Sequence, residues 1–174
     1  MKKGPLFEKQ GVEYLNASFD TDSIERRLMG GTKDRGDVSG VFFQGKPFVV
    51  EFKNVKTLRP KQYFAELETE CGNADTDLGA IVFHRDGFGE KHMGGQGVLM
   101  TRETLARLLC GRPFVTKSVD VKRFQPKKYL AVLEGDPTLD AIIFLSKEQE
   151  GARGVLMTYE TLVKLLGGNP PKED

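Results

Sequence analysis

Cysteine is scarce in this 174-residue chain, and no long apolar run occurs. The two cysteines, Cys71 and Cys110, belong to no CxxC pattern, which argues against a disulfide scaffold or a zinc site and favours a reducing compartment. No apolar run approaches the roughly 20 residues that cross a bilayer, and no signal-peptide core follows the first three residues. With 39% apolar and 29% charged residues, we expect a soluble, cytoplasmic, globular protein with no membrane segment.

A large excess of either charge is also absent, because the formal net charge is +1. The basic residues are unevenly distributed: residues 1–61 carry 12 Lys or Arg against 8 Asp or Glu, and the remainder carries 14 against 17. Basic clusters of this kind can neutralise phosphates, although a solvated face explains them equally well when charge is the only observation. The glycine-rich stretch 88–97 lacks a Walker A pattern, which excludes a nucleotide-phosphate loop of that type.

Hydrophobic periodicity and turn residues predict an alternating α/β chain. The predicted elements, in order, are a helix at 5–17, a short helix or strand at 21–31, a hairpin or two successive strands within 37–54, a helix from Pro60 to Gly72–Asn73, strands at 78–83 and 95–100, and a helix after Thr101 that ends near Gly111. Proline at a helix start, threonine at an N-cap and glycine at a C-cap support these helix limits.

Beyond the last of these helices the sequence pattern starts again. Residues 111–134 (GRPFVTKSVDVKRFQPKKYLAVLE) align without gaps on residues 45–68 (GKPFVVEFKNVKTLRPKQYFAELE), with 12 identical positions. In the same order, LDAIIF repeats LGAIVF, and GVLMTYETLVKLLGG repeats GVLMTRETLARLLCG. These ordered matches predict an incomplete duplication of a β-α-β-β-α unit, with too few copies for a solenoid. We expect a core domain at 1–111, a degenerate partial repeat at 112–168 and a disordered tail at 169–174.

The two copies differ at polar positions of the first copy. Glu51 corresponds to Lys117 and Lys53 to Val119, whereas the flanking glycine, proline, phenylalanine and valine are retained. The second copy also starts too late to contain a counterpart of Asp37. Drift on a solvated surface is the alternative explanation, but it would favour exchange among polar residues. The comparison therefore indicates a site in the first copy and a scaffold in the second.

Neighbouring strands can bring Asp37, Glu51 and Lys53 together. Glu51 and Lys53 are two residues apart, so their side chains share one face of a strand. Two carboxylates and the backbone carbonyl of Phe52 make an oxygen-rich site that suits Mg²⁺ or Mn²⁺. Such a metal lowers the pKa of a bound water and polarises a phosphoryl oxygen. Lys53 can orient or deprotonate that water, or stabilise charge on the phosphate.

The string DRGDVSGV, followed by VVEFKN, resembles the motif of the PD-(D/E)XK nuclease superfamily. Over residues 4–101 the chain resembles, more closely, the Holliday junction resolvase-like nucleases of actinobacteria and their phages. Gly36 stands where this motif usually has proline. The resemblance implies a restriction-endonuclease-like mixed sheet flanked by helices, with Asp37, Glu51 and Lys53 as catalytic residues.

Further residues have supporting roles in this hypothesis. The resemblance implies that Glu8, on the first helix, helps to hold the metal. Glu66, which the second copy does not retain, either supports Lys53 and the metal or forms a surface salt bridge. His84 and Arg85 end a buried strand and can contact the scissile phosphate, with a structural role for His84 as the alternative. The expected DNA contacts are Arg27, Lys33, Arg35, Lys56 and Lys61.

The sequence therefore predicts an Mg²⁺-dependent endonuclease, with Mn²⁺ as an alternative cofactor, that acts on branched DNA in a bacterial or phage-infected cell. Because junction resolution needs two symmetric nicks, we expect a homodimer, with an intramolecular pseudo-dimer of the two copies as the alternative. Another DNA preference, restriction-like or end-processing, stays open. So does a non-catalytic nucleic-acid-binding or interaction protein on a nuclease scaffold. The second copy would then pack against the first as a pseudo-dimer, supply a dimer interface, or extend a DNA surface through Lys117, Lys122, Lys127 and Lys128.

Overall fold

A computed structural model describes residues 3–27, 33–89, 92–146 and 153–172, which contain five helices and ten strands. The helices are α1 (Lys3–Phe19), α2 (Pro60–Asn73), α3 (Arg102–Leu109), α4 (Pro126–Gly135) and α5 (Tyr159–Leu166). The strands are β1 (Glu25–Arg26), β2 (Val38–Ser39), β3 (Phe42–Phe43), β4 (Lys46–Pro47), β5 (Val49–Lys53), β6 (Gly79–Phe83), β7 (Gly97–Met100), β8 (Thr116–Val121), β9 (Ala141–Ser146) and β10 (Arg153–Thr158).

Six of these strands form one mixed sheet in the order β5-β6-β7-β10-β9-β8. The outer pairs β5–β6 and β8–β9 are parallel, and the three pairs between them are antiparallel. Helices α1, α3 and α5 cover one face, where Phe52, Met100 and Met157 are buried. Helices α2 and α4 cover the other face, where Ile81 and Leu156 are buried. The prediction of a mixed sheet flanked by helices is confirmed.

The two halves of the sheet meet in a symmetric register. Leu99 of β7 lies opposite Leu156 of β10, and these leucines occupy equivalent positions of the sequence repeat. The flanking pairs, which are equivalent to each other, are Val98 with Met157 and Val155 with Met100. A local two-fold relation therefore passes through the Leu99–Leu156 pair, and each half contributes three strands to the sheet.

The outer strands β5 and β8 pair with their neighbours in the same register but differ in how far they are buried. Val50 lies opposite Ala80 in one half, as Thr116 lies opposite Ala141 in the other. Val50 is fully buried, whereas Thr116 is exposed. The reason is that α1 packs against β5, while the second copy begins directly after the first and has no counterpart of the N-terminal segment.

Helix α1 approaches β5 closely at a glycine. A Cβ on Gly11 would lie 2.2 Å from the ring of Phe52, so only glycine allows this contact without displacement. Phe7 packs edge-on against the same ring, with the ring centroids 5.5 Å apart. The buried Tyr159 hydroxyl donates to the Gly11 carbonyl at 3.1 Å. Helix α1 is thereby held both to β5 and to the start of α5.

The predicted local elements agree with the observed ones. The hairpin of β3 and β4 turns at Gln44 and Gly45, whose φ angles are 50° and 78°. The Thr101 hydroxyl caps α3 by accepting from the amide three residues later, at 3.1 Å. The segment 21–31 contributes strand β1, and its residues 28–31 lie outside the described ranges.

The predicted tail starts at a residue that contacts the first helix. The amide of Asn169 donates to the Ser18 carbonyl at 2.7 Å, and residues 173–174 lie outside the described ranges. Within the described parts of the chain, no helix combines the length and apolarity that crossing a membrane requires.

Leu99→Ala and Leu156→Ala should each lower the free energy of unfolding by about 2–5 kcal/mol, because both side chains are fully buried where the halves meet. Urea unfolding followed by circular dichroism should show one cooperative transition in both variants. Leu6→Ala, at a side chain 37% exposed, is the control and should change stability by about 0.5 kcal/mol or less. Two separate transitions would contradict a continuous core.

Candidate active site

Asp37 lies along the open edge of β5, whose other edge pairs with β6. The amide of Asp37 donates to the Val50 carbonyl at 3.0 Å, and its Oδ2 accepts from the Phe52 amide at 2.7 Å. The carboxyl groups of Asp37 and Glu51 are close enough for the charge of Asp37 to act on the pKa of Glu51. Lys53 follows two residues further along the same strand face and contacts Glu51. The structure therefore brings the three residues proposed as catalytic together.

Gly36 determines how the chain enters this site. Its φ angle is +83°, and a Cβ at this position would lie 2.7 Å from Cγ1 of Val49 and 3.1 Å from the Val50 carbonyl oxygen. Proline holds φ near about −65°, so it cannot adopt this conformation. Glycine rather than proline at this position therefore has a local physical reason in the backbone.

Lys53 ends β5 and is held by two carboxylates. Its Nζ donates to Oε1 of Glu51 at 2.8 Å and lies 3.0 Å from Oε2 of Glu66 on α2. The same nitrogen is 5.2 Å from the centroid of the Tyr63 ring. Burial lowers the pKa of Lys53, but the hydrogen bonds to Glu51 and Glu66 outweigh burial and raise the pKa above its ordinary value. Lys53 is thus a fixed ammonium group, suited to stabilising negative charge rather than to accepting a proton.

Asp37 and Glu51 form a carboxyl pair in which Glu51 is buried and Asp37 is half-buried. Burial, and after it the charge of Asp37, raises the pKa of Glu51 to about 8, and attraction to Lys53 does not offset this rise. Burial also raises the pKa of Asp37, although the bond from the Phe52 amide opposes this, and the charge of Glu8 adds to the rise. The pair therefore binds a proton more readily than isolated carboxyl groups do, and a cation between the carboxyl groups would favour release of that proton.

Glu70 of α2 is a site residue that the sequence patterns above did not single out. It follows Glu66 by four residues, so both lie on the helix face that borders Lys53, and this spacing was the available signal. Glu70 is 5% exposed, and its Oε2 has no hydrogen-bond partner among the described residues. Burial, followed by the charge of Asp34, raises the pKa of Glu70 to about 7. A third carboxyl group with a raised pKa therefore adjoins the pair.

The oxygen atoms at the edge of β5 fit a divalent cation. Successive carbonyls of a strand point to opposite edges, and the Val50 carbonyl accepts from Asp37, so the Phe52 carbonyl points to the same edge. Across the described residues, no group of three Asp, Glu, His or Cys side chains has a geometry that could hold a metal ion. Mg²⁺ needs only one or two protein carboxylates, because waters and substrate phosphates complete its shell. The carboxylates of Asp37 and Glu51 with the Phe52 carbonyl meet this requirement.

Glu8 and His84 border the candidate trio. Glu8 of α1 accepts from Nε of Arg26 on β1 at 3.0 Å, and its charge acts on the pKa of Asp37. The amide of His84 donates to the Lys53 carbonyl at 2.9 Å, which places His84 directly beyond β6 and next to the end of β5. Both predicted supporting residues are therefore adjacent to the trio.

Arg85 is engaged in the junction between the two halves. It is 8% exposed, and its guanidinium donates to both carboxylate oxygens of Glu134 on α4, at 2.5 and 2.7 Å. The guanidinium also lies 3.9 Å from the centroid of the Phe88 ring, and the Arg85 amide donates to Oε1 of Gln96 at 2.7 Å. These contacts tie the end of β6 to the second half of the chain.

Exposed basic residues flank the trio in the chain. The amide of Arg27 donates to the Asp37 carbonyl at 2.8 Å, and Nε of Arg27 donates to the Val38 carbonyl at 3.0 Å. The other residues proposed to contact DNA are exposed and lie on either side of β5 in the chain: Lys33, Arg35, Lys56 and Lys61. Basic side chains that are open to solvent therefore precede and follow the trio in the chain, and Arg27 contacts the segment of Asp37 directly.

Comparison of the chain with protein-family models, with curated proteins and with solved structures finds no match. The motif in the sequence and the geometry of the trio therefore carry the functional argument.

Glu70→Gln should flatten the dependence of stability on pH. Because the folded-state pKa of Glu70 is about 7, above the ordinary 4.5, the folded protein keeps a proton that the unfolded chain releases. This stabilisation is present at low pH and is lost as the pH rises through the folded pKa. Between about pH 5 and about pH 8, the wild-type free energy of unfolding should fall by roughly 2 kcal/mol more than that of the variant.

Urea unfolding at the two pH values measures this difference. Glu66→Gln is the matched control one helical turn away, because the hydrogen bond to Lys53 lowers the pKa of Glu66 against the effect of its burial. Its replacement should not flatten the slope in this window. Equal slopes for wild type and Glu70→Gln would contradict the raised pKa of Glu70.

Proposed function

We propose that this protein is a divalent-metal-dependent endonuclease that hydrolyses phosphodiester bonds in DNA. The observation that carries the proposal is the grouping of three side chains at the open edge of β5: Asp37, which accepts from the Phe52 amide, and Glu51, which accepts from the Lys53 ammonium group. Burying two acidic groups together is unfavourable, and groups perturbed in this way are concentrated at functional sites. Phosphodiester hydrolysis uses this combination, since it needs a cation, an attacking water and stabilisation of charge on the phosphoryl group.

Asp37, Glu51 and the Phe52 carbonyl would hold Mg²⁺ or Mn²⁺. The bound ion supplies Lewis-acid polarisation of a phosphoryl oxygen and lowers the pKa of a coordinated water. Glu51 would be deprotonated as a metal ligand, because a cation would offset the burial and the charge of Asp37 that raise its pKa. Lys53 stays protonated and donates to the phosphoryl oxygen on which negative charge develops. Glu66 acts as a positioning residue, because its carboxylate holds Nζ of Lys53.

The proposal includes the fold family. An aspartate before the strand, a Glu-Phe-Lys at the strand end, a helix and a parallel strand follow each other in the order that the PD-(D/E)XK resemblance implies. We propose that residues 1–111 form a restriction-endonuclease-like core and that the following half is a duplicated unit without the acidic residues. The match between the sequence repeat and the Leu99–Leu156 register supports the duplication.

Branched DNA is the proposed substrate class, by resemblance to junction resolvases. A four-way junction requires two symmetric cuts, but one chain carries one candidate trio, since Lys117 and Val119 occupy the equivalent positions of β8. Resolution would therefore need a homodimer of whole chains. The internal two-fold relation is the basis of the alternative, in which the two halves act as a pseudo-dimer that makes single nicks.

Asp37→Asn and Lys53→Ala should lower the rate of DNA cleavage in Mg²⁺ by about 10²–10³-fold or more, because each removes a group that acts on the transition state. Gel assays with end-labelled DNA measure the rate, and circular dichroism verifies the fold. Val119→Ala, at the position equivalent to Lys53, is the matched control and should keep the wild-type rate. Mn²⁺ binding, measured by calorimetry, should be lost in Asp37→Asn. Undiminished cleavage by both site variants would refute the assignment.

A panel of four-way junction, flap, duplex and single-stranded DNA should show a preference for the junction, with paired nicks on opposing strands. Light scattering should give twice the mass of one chain, because two trios are needed for those nicks. A monomer that makes single nicks would favour the internal pseudo-dimer instead. Binding of DNA without cleavage of any substrate would favour a non-catalytic protein on a nuclease scaffold.

A further inference from the structure

A cavity of about 500 Å³ opens between the two halves of the chain. Three segments line it: residues 55–58 after β5, residues 83–86 at the end of β6, and residues from 123 to 130 at the start of α4. The first two segments belong to the first half and the third belongs to the second half. We call this cavity the inter-repeat groove.

The inter-repeat groove adjoins the candidate active site. His84 lines the groove, and its amide donates to the Lys53 carbonyl at 2.9 Å. Lys56, another lining residue, follows Lys53 by three positions. A strand whose scissile phosphate lies at Lys53 would therefore continue directly into the groove.

Positive charge dominates the rim of the groove. Its exposed basic side chains are Lys56, Arg123, Lys127 and Lys128. Among the described lining residues, the acidic one is Asp86, whose Oδ2 lies 2.6 Å from Nζ of Lys127. Both partners of this pair are largely exposed, so the pair is weak and a phosphate can displace the carboxylate. The buried pair of Arg85 with Glu134 instead fixes α4 against the end of β6.

The floor of the groove is apolar. Leu58, Phe83, Phe124 and Leu130 line it. Phe124 stacks on Phe144, with ring centroids 4.1 Å apart, which fixes its position. An apolar floor below a basic rim matches a nucleotide, whose base has apolar faces and whose phosphate is anionic. The cavity volume lies in the range of small-molecule sites, which is enough for one nucleotide.

The second copy has changed in charge at this groove. Arg123 and Lys128 replace Thr57 and Gln62 of the first copy, and Gln125 replaces Arg59. The second copy therefore has a net gain of one positive charge at these positions, although it has lost Glu51 and Lys53. A half of the chain that binds DNA without catalysing its cleavage is expected to keep or gain basic residues in this way.

We propose that the inter-repeat groove binds the DNA strand that leaves the active site, with one nucleotide in the cavity and the adjoining phosphates on Arg123, Lys127 and Lys128. This inference rests on the proposed nuclease function and gives the second half a role in it. The second half is a strand clamp: its ion pair with Arg85 holds α4 beside the site, and its basic side chains hold the substrate.

The test compares Lys127→Ala/Lys128→Ala and Arg123→Ala with a control pair, Arg107→Ala/Lys164→Ala. The control pair removes two exposed basic side chains from α3 and α5, on the opposite face of the sheet. Fluorescence anisotropy in EDTA measures the Kd of a short labelled oligonucleotide over a range of salt concentrations. The groove variants should weaken binding at least about tenfold, and the lysine pair should reduce the slope of log K against log salt by about 1.5–2. The control pair should bind like the wild type.

Cleavage assays in Mg²⁺ separate this inference from the proposed function. The groove variants should raise KM by about the same factor as Kd and leave kcat unchanged. If the wild type cleaves DNA while the groove variants bind and cleave like the control pair, the groove assignment is overturned and the nuclease proposal stands. If the wild type cleaves no DNA, the nuclease proposal fails, and unchanged binding by the groove variants would overturn the clamp as well. Weakened binding in that case would still support a strand-binding groove.

Discussion

The antiparallel pairing of β7 with β10 is the interaction on which the architecture depends. Each half supplies only three strands, and without this pairing β7 and β10 would each present an edge of unpaired amides and carbonyls to water. The Leu99–Leu156 register closes both edges at once and buries both leucines completely. It also leaves β5 and β8 as the outermost strands, so the candidate site and its altered counterpart lie at opposite edges of one continuous sheet.

The outer position of β5 makes the carboxyl pair attainable. On an interior strand, the Val50 carbonyl and the Phe52 amide would pair with a neighbouring strand, whereas at the edge they bond to Asp37. Asp37 thereby provides hydrogen-bond partners for these two backbone groups. It also lies close to Glu51, and its charge raises the pKa of Glu51. The positive charge of Lys53 offsets only part of this rise in the pKa of Glu51. Neighbouring carboxyl groups destabilise each other, although the fold around them is well packed. Such local destabilisation is expected at functional sites.

The differences between the two copies have separate physical origins. Val50 of β5 corresponds to Thr116 of β8 in the sequence alignment. Helix α1 packs against β5, whereas Thr116 is exposed, so this difference needs no functional explanation. Lys53 becomes Val119, which packs against the core on the α2 and α4 face. Greater exposure to solvent does not explain the difference between Lys53 and Val119, because the ion-paired lysine corresponds to an apolar residue. The comparison of β5 with β8 therefore supports a site at Lys53 but says nothing about a role for Val50.

The positions of most helices and strands could be predicted from the sequence alone, because they depend on local periodicity, turn residues and caps, whereas the segment 21–31 stayed open between a helix and a strand. The trio of Asp37, Glu51 and Lys53 could be proposed because its spacing lies within one strand and the segment before it. Only the tertiary structure decided that the two copies share one sheet, that Glu70 is buried beside the trio, and that Arg85 pairs with the second half. These features depend on contacts between residues far apart in the chain, and local patterns do not specify which distant groups meet.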